Sequence, residues 1–201
     1  VSDYFVVSQK QTNPLVTIAT PLKFGERKNI GKNINTSGDE IAPIISADEK
    51  TLYFERSSYA GNKGGINDGD IWYSKFNVKD STWGTALNAG FPLNNKDNNF
   101  VQHVSHDNNT LIVGNKYTKS GEYLAPGYSI CHKTKTGWSI PKGLVIKNYY
   151  NLNQYNEICL SPNGKVMLLA IQRYNTEGVK DIYVSFMQTD STWSEPKKKK
   201  K

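Results

Sequence analysis

"SADEKTLYF" at Ser46–Phe54 decides the fold. The same nine-residue plan returns as "SHDNNTLIV" at Ser105–Val113 and as "SPNGKVMLL" at Ser161–Leu169, and the three copies align without a gap. Each copy has a serine, a short polar turn and then an apolar run of β-favouring residues. The turns carry Asp48 and Glu49, Asp107 and Asn108, and Asn163 and Gly164. Such residues tolerate left-handed backbone or bond their own backbone, and so close tight hairpins. Each block therefore predicts one strand before the serine and one after the turn.

Further along, "DIWYS" at Asp70–Ser74 matches "DIYVS" at Asp181–Ser185. In the middle copy "YSICH" at Tyr128–His132 is the degraded counterpart, with Tyr128 standing where Asp70 and Asp181 stand. These runs predict third strands. "DSTW" then occurs at Asp80–Trp83 and at Asp190–Trp193, and Trp138 ends "KTGW" 55 residues from both tryptophans. Each Trp motif opens a predicted fourth strand, and the tryptophan is read as filling a recurring slot between neighbouring units. One such ring buries about 150–250 Å².

Units of four short strands begin near Asn33, Asn95 and Asn153. Self-similarity at this spacing predicts an all-β chain, a β-propeller of four-stranded antiparallel blades. One such sheet cannot bury both faces alone, whereas stacked units cover each other. The whole chain, 1–201, reads as a single domain: a half blade at 1–33, blades at 34–94, 95–152 and 153–196, and a lysine tail at 197–201. "DYFVVS" at Asp3–Ser8 reads as a third strand, and "NIGKNINT" at Asn29–Thr36 as the end of a fourth. About three and a half blades fall short of a closed ring, so the expectation is a portion of a larger propeller.

The run "DEIAPIISADEKTLYF", followed by "GDIWYS" and "TWGTALNAGFPLN", resembles the TolB-type WD-like β-propeller repeat. It is similar above all to versions in cell-envelope proteins of Bacteroidota, often fused to an OmpA-like peptidoglycan-binding domain. The resemblance is strongest over Asp39–Asn94, good over Ser161–Pro196 and weakest in the middle unit. It implies a periplasmic or outer-membrane-associated setting and a place in a secretion or peptidoglycan-anchored assembly. Fold alone does not give function.

Net charge is +7, but Lys197–Lys201 supply five of those charges and leave +2 for the rest. A terminal lysine run is a solvated tail or an added segment. No basic stripe interleaved with aromatics occurs elsewhere, so nucleic acid is not an expected partner. No apolar run approaches the length of a membrane-spanning helix. Cys131 and Cys159 both read as small apolar core residues, and nothing in their spacing requires a disulfide or makes a zinc motif.

No nucleophile elbow, phosphate-binding loop or zinc-protease motif is present, so neither an enzyme nor a cofactor is expected. His103 is placed on an inner strand and His106 in a turn, with no third metal ligand at a suitable spacing. "GNKGGINDGD" at Gly61–Asp70 could wrap a calcium ion in oxygen ligands, though without EF-hand spacing; otherwise it is a flexible loop.

The loops joining second to third strands are long, and with the unit-to-unit loops they share one face. They bring Arg56, Tyr59, Tyr117, Tyr123, Tyr149, Tyr150, Tyr155, Arg173 and Tyr174 toward one rim. Tyr and Arg dominate binding hot spots, and long loops on a rigid scaffold concentrate function. The expected activity is a non-catalytic scaffold that binds protein partners in the envelope. The alternative is a carbohydrate-binding or carbohydrate-processing propeller, with a glycan as partner. Two buried carboxylates on the loop-rich face would favour processing; a flat rim rich in Tyr and Arg would favour the scaffold.

Overall fold

The serine blocks form hairpins. The computed structural model describes residues 25–198, so the strand expected at Asp3–Ser8 lies outside the described residues. Ser46 separates β1 (Asp39–Ile45) from β2 (Thr51–Ser57). Ser105 separates β6 (Val101–Val104) from β7 (Thr110–Tyr117), and Ser161 separates β11 (Glu157–Leu160) from β12 (Val166–Ile171). One hydrogen-bond set closes all three turns. The serine Oγ donates to Asp48, Asp107 or Asn163 (2.6, 2.5 and 2.7 Å). It accepts the N–H of Thr51, Thr110 or Val166 (2.8, 2.9 and 3.0 Å). The residue after the acid or amide is left-handed each time: Glu49, Asn108 and Gly164 have φ of 59°, 58° and 66°. Acceptance of N–H and O–H bonds holds the Asp48 and Asp107 carboxyls below the usual carboxylate range, the serine hydroxyl being the larger cause.

Third strands follow as β3 (Gly69–Asn77), β8 (Tyr123–Thr134) and β13 (Asp181–Phe186), each antiparallel to the second strand of its unit. The fourth strand is split. Trp83 and Trp138 lie in two-residue strands, β4 (Thr82–Trp83) and β9 (Gly137–Trp138), which pair with the ends of β3 and β8. The chain then breaks and pairs again as β5 (Leu87–Asn88) and β10 (Lys142–Gly143). In the third unit Trp193 bridges Met187, and β14 (Lys197–Lys198) pairs with β13. Among the described residues the result is an all-β arrangement of three antiparallel sheets.

Pairing corrects the alignment of the middle unit. Tyr53 lies opposite Tyr73, Ile112 opposite Ile130, and Leu168 opposite Val184. Gly127, not Tyr128, therefore occupies the place of Asp70 and Asp181. The run equivalent to "DIWYS" is Gly127–Cys131, one residue earlier than the sequence match suggested.

The sheets stack face to face. Tyr53 and Ile71 of the first sheet meet Leu111, Val113 and Cys131 of the second. Ile112 and Tyr128, on the second sheet's other face, meet Met167, Leu169 and Tyr183 of the third. A third cluster joins Leu52, Phe54 and Trp72 to Ile34. Residues 29–36 run as a turn at 32–34 rather than as the expected strand end, but they do reach the tryptophan slot. Asn33 Nδ2 donates to the Trp83 carbonyl (2.8 Å), and Ala86 N donates to the Asn33 carbonyl (2.8 Å). Trp193 repeats this against the second unit: its N–H donates to Val145 (2.8 Å), and its carbonyl accepts from Lys147 (2.9 Å). Trp138 packs against the core shared by the first two sheets and lines one cleft with Tyr73 and Ala89 of the first unit. Each Trp thus sits where one unit meets the one before it.

Two expectations need correction. Cys131 is buried, but Cys159 is exposed. It pairs with Leu168 on the third sheet's far face, where Ile182 and Phe186 are also exposed. The equivalent faces of the first two sheets are covered by the next sheet. Lys197 and Lys198 are not a free tail either. They form β14, and Lys198 Nζ pairs with Asp181 (2.8 Å) and Glu177 (3.0 Å); Lys199–Lys201 lie outside the described residues. No helix among the described residues is long and apolar enough to cross a membrane.

Burial pushes the Cys131 thiol up to about 12. A thiol titration in native buffer at pH 8 should therefore label one cysteine, Cys159, at once and Cys131 only on unfolding; prompt labelling of both would contradict the packing. Trp193→Ala should cost roughly 3–5 kcal/mol, the range for truncating a buried Trp, read as a shifted midpoint in urea unfolding. Trp83→Ala, at a half-buried site, should cost less.

Candidate functional site

The nine predicted rim residues separate into three groups. Arg56, Tyr117 and Arg173 are buried. Arg56, on β2, pairs with Glu40 (2.8 Å) and donates to the Ile34 carbonyl (2.6 Å). Its guanidinium lies 4.2 Å from the Trp72 ring centroid and 4.9 Å from that of Tyr59. Tyr117 is a core residue whose hydroxyl donates to Leu93 O and accepts from Asn99 Nδ2, both at 3.1 Å. Arg173 donates to the Pro196 carbonyl (2.8 Å) and pairs with Glu195 (3.2 Å). These three brace the sheets and are removed from the contact surface. A planar guanidinium suits such sites because it stacks on a ring while its fork bonds oxygen.

Tyr59 and Tyr149 form the second group. Tyr59 meets Trp72 edge-on, with ring centroids 5.5 Å apart, and Tyr149 meets Tyr128 at 5.8 Å. The Tyr149 hydroxyl is itself buried. Both rings serve packing.

The remaining four are presented outward. Tyr123 opens β8 opposite Tyr117 and is exposed. Tyr155 is 66% exposed and Tyr174 is 85% exposed. Tyr150 is half-buried and supports Tyr174 from below. Arg173 lies 4.3 Å from the Tyr150 ring centroid, the two tyrosine rings are 5.5 Å apart, and the Tyr174 N–H donates to the Tyr150 hydroxyl (3.4 Å). The Arg173 side chain also lowers the pKa of the Tyr150 hydroxyl. Tyr174 is thereby set at a tilt of 42° to the Tyr150 ring, beside a groove of about 890 Å³ that Glu177, Tyr183 and Lys198 also line.

The loop at Gly61–Asp70 is held by its own hydrogen bonds. Asn62 bonds the carbonyls of Arg56 (2.8 Å) and Asp68 (2.7 Å) and accepts the Trp72 indole N–H (3.0 Å). Asp68 accepts the N–H groups of Gly64 and Gly69, both at 2.8 Å, and Asp70 accepts that of Lys63 (2.7 Å). The oxygens expected to face a calcium ion are largely taken by N–H donors. Among the described residues no three His, Cys, Asp or Glu side chains gather as metal ligands would. His103 lies on β6, and burial lowers its pKa; His106 sits in the turn.

Sequence reading missed Glu55. It lines a second groove, of about 820 Å³, that runs beside the first strands of all three units. Ile41, Pro43, Val101 and Pro126 form apolar walls, and Phe100 and Tyr155 add aromatic rings. Burial, with Asp68 nearby, pushes the Glu55 carboxyl up to about 7. A signal was available: nine residues after each block serine stand Glu55, Gly114 and Ala170. Two units keep a small residue where the first has an acid. Asp68 lies outside the groove and accepts backbone donors of its own loop, and Glu157, which lines it, is paired with Lys180. Glu55 is therefore the groove's one acid without a partner among the described residues, whereas glycoside hydrolysis works with a pair.

No family model matches this chain, and no curated protein matches it. Among solved structures it is similar to a candidate 6-phosphogluconolactonase from Bacteroides uniformis, at 13% identity and a TM-score of 0.40, over 82% of this chain. The chain spans 40% of that protein's length.

Arg56→Ala should lower stability by roughly 3 kcal/mol, the lower end for breaking a buried pair, because it leaves a largely buried Glu40 with Thr36 as its remaining hydrogen-bond partner. Tyr174→Ala should change stability by no more than about 0.5 kcal/mol, as for an ordinary surface position. Chemical unfolding of the two variants separates bracing from presentation.

Proposed function

We propose that this chain is a set of β-propeller blades acting as a non-catalytic, protein-binding scaffold in a bacterial cell-envelope assembly. The setting is periplasmic or outer-membrane associated, and the assembly is a secretion or peptidoglycan-anchored complex. The carrying observation is the Arg173–Tyr150–Tyr174 cluster, which supports an 85%-exposed aromatic ring through a ring contact and a backbone hydrogen bond. A rigid ring loses little freedom on binding, so more of its contact energy appears as affinity. Tyr155 and Tyr123 extend the exposed aromatic surface. The blade reading is supported by three sequential antiparallel sheets, stacked face to face and joined at equivalent tryptophans. No covalent step is assigned to any residue.

Carbohydrate processing is the second reading, favoured by the raised carboxyl of Glu55 beside Asp68. It is the weaker one, because Asp68 is committed to its own loop.

A photo-crosslinking phenylalanine analogue at position 174, expressed in the cells of origin, distinguishes the readings. The scaffold reading expects a discrete protein adduct that is greatly reduced by Tyr150→Ala. Absence of an adduct, together with sugar release from envelope polysaccharide that depends on Glu55, would establish the carbohydrate reading instead.

A further inference from the structure

Twice among the described residues a guanidinium combines a carboxylate partner with aromatic faces, besides a backbone carbonyl. Arg56 has Glu40 at 2.8 Å and Trp72 at 4.2 Å; Arg173 has Glu195 at 3.2 Å and Tyr150 at 4.3 Å. The groove beside the first strands presents the same two ingredients without a cation. Glu55 supplies the carboxylate, and Phe100 and Tyr155 supply the rings. Ile41, Pro43, Val101 and Pro126 offer an apolar channel for a methylene stem.

Three features single out Glu55 within that groove. No hydrogen-bond donor among the described residues reaches its carboxylate, and no cation pairs with it there. The other charges facing the groove, Lys180 and Glu157, are committed to each other, Lys180 Nζ bonding both Glu157 oxygens at 2.7 Å; the nearby Asp68 is buried outside the groove and accepts from Gly64 and Gly69. The backbone also makes room for the acid, since a Cβ at Gly69 would collide with Glu55 Oε1. A half-buried acid is costly unless it gains a partner. Gly114 and Ala170, at the equivalent places, show that the sheets do not need an acid there.

We propose that this groove receives an arginine or lysine side chain of a partner protein, with Glu55 as its counter-ion and the aromatic rings flanking the cation. The proposal rests on the scaffold reading and names the chemistry of the partner. A neutral polyol would find aromatic walls but would leave the carboxylate without a counter-charge. A basic side chain uses the stem channel and the acid together.

The test is an NMR titration of the full chain with N-acetyl-arginine amide, using N-acetyl-citrulline amide as the uncharged isostere. The arginine probe should shift the backbone amides of Glu55, Phe100, Val101 and Tyr155, and citrulline should bind at least tenfold more weakly. Affinity should rise severalfold between pH 6 and pH 8 as Glu55 ionises, because the probe stays cationic throughout and only the ionised acid attracts it. Glu55→Gln should weaken binding at least tenfold and flatten the pH profile. Equal binding of the two probes, a pH-independent affinity in the wild-type chain, or shifts confined to other surfaces would overturn the proposal. So would binding of neutral oligosaccharides in the groove in place of the arginine probe. If the crosslink at position 174 persists while the groove ignores the arginine probe, the groove inference fails and the scaffold reading stands.

Discussion

The serine hydroxyl at each hairpin is the constraint on which the remaining structure depends. It donates to a side-chain oxygen two residues on and accepts the N–H five residues on, so it fixes both loop length and turn conformation. Loop length sets strand register, and in a sheet a one-residue slip exchanges the two faces. Because all three units share one turn, all three place the residue seven beyond the serine on the same face. Tyr53, Ile112 and Leu168 are those residues, and the first two lie against the next sheet. Stacking, the tryptophan slots and the grooves all follow from that shared register.

The chain uses its strongest recognition side chains internally. Arg56 and Arg173 are both drawn inside by the same pairing of ring and carboxylate. Arginine at a contact surface and arginine bracing a sheet call for the same partners, so residue type cannot tell them apart. The structure separates them through burial. What remains outward is aromatic: Tyr123, Tyr155 and Tyr174. Tyr174 gains its position from Tyr150, which a largely buried arginine supports. The acid at Glu55 is the converse case, a carboxylate sharing a groove with aromatic rings, with no cation paired to it among the described residues.

Much of the strand pattern is legible in the sequence alone. The serine blocks, the third-strand pentapeptides and the even spacing of Trp83, Trp138 and Trp193 are local, repeated signals. Each reflects a local demand: a turn that must bond its own backbone, a pleated half-buried strand, or a slot for one large ring. The middle unit was misread by one residue because "YSICH" imitates its neighbours in composition, and only pairing across the sheet fixes register. Cys159 was misplaced because its strand alternates as the others do, yet its face has no sheet against it among the described residues. Lys197 and Lys198 looked like tail because lysine has little strand preference; Asp181 and Glu177 hold Lys198 in the ladder.

The sequence by itself determined an all-β chain of three repeated units, the position of each hairpin, and the recurrence of tryptophan at the joints between units. Those properties are encoded by short-range chemistry within a few residues. Only the tertiary structure decided which arginines and tyrosines reach solvent, which cysteine is open, and that Glu55 faces a groove shared by three units. Such outcomes depend on contacts between residues far apart in the chain, and burial there is set by what the neighbouring sheet covers.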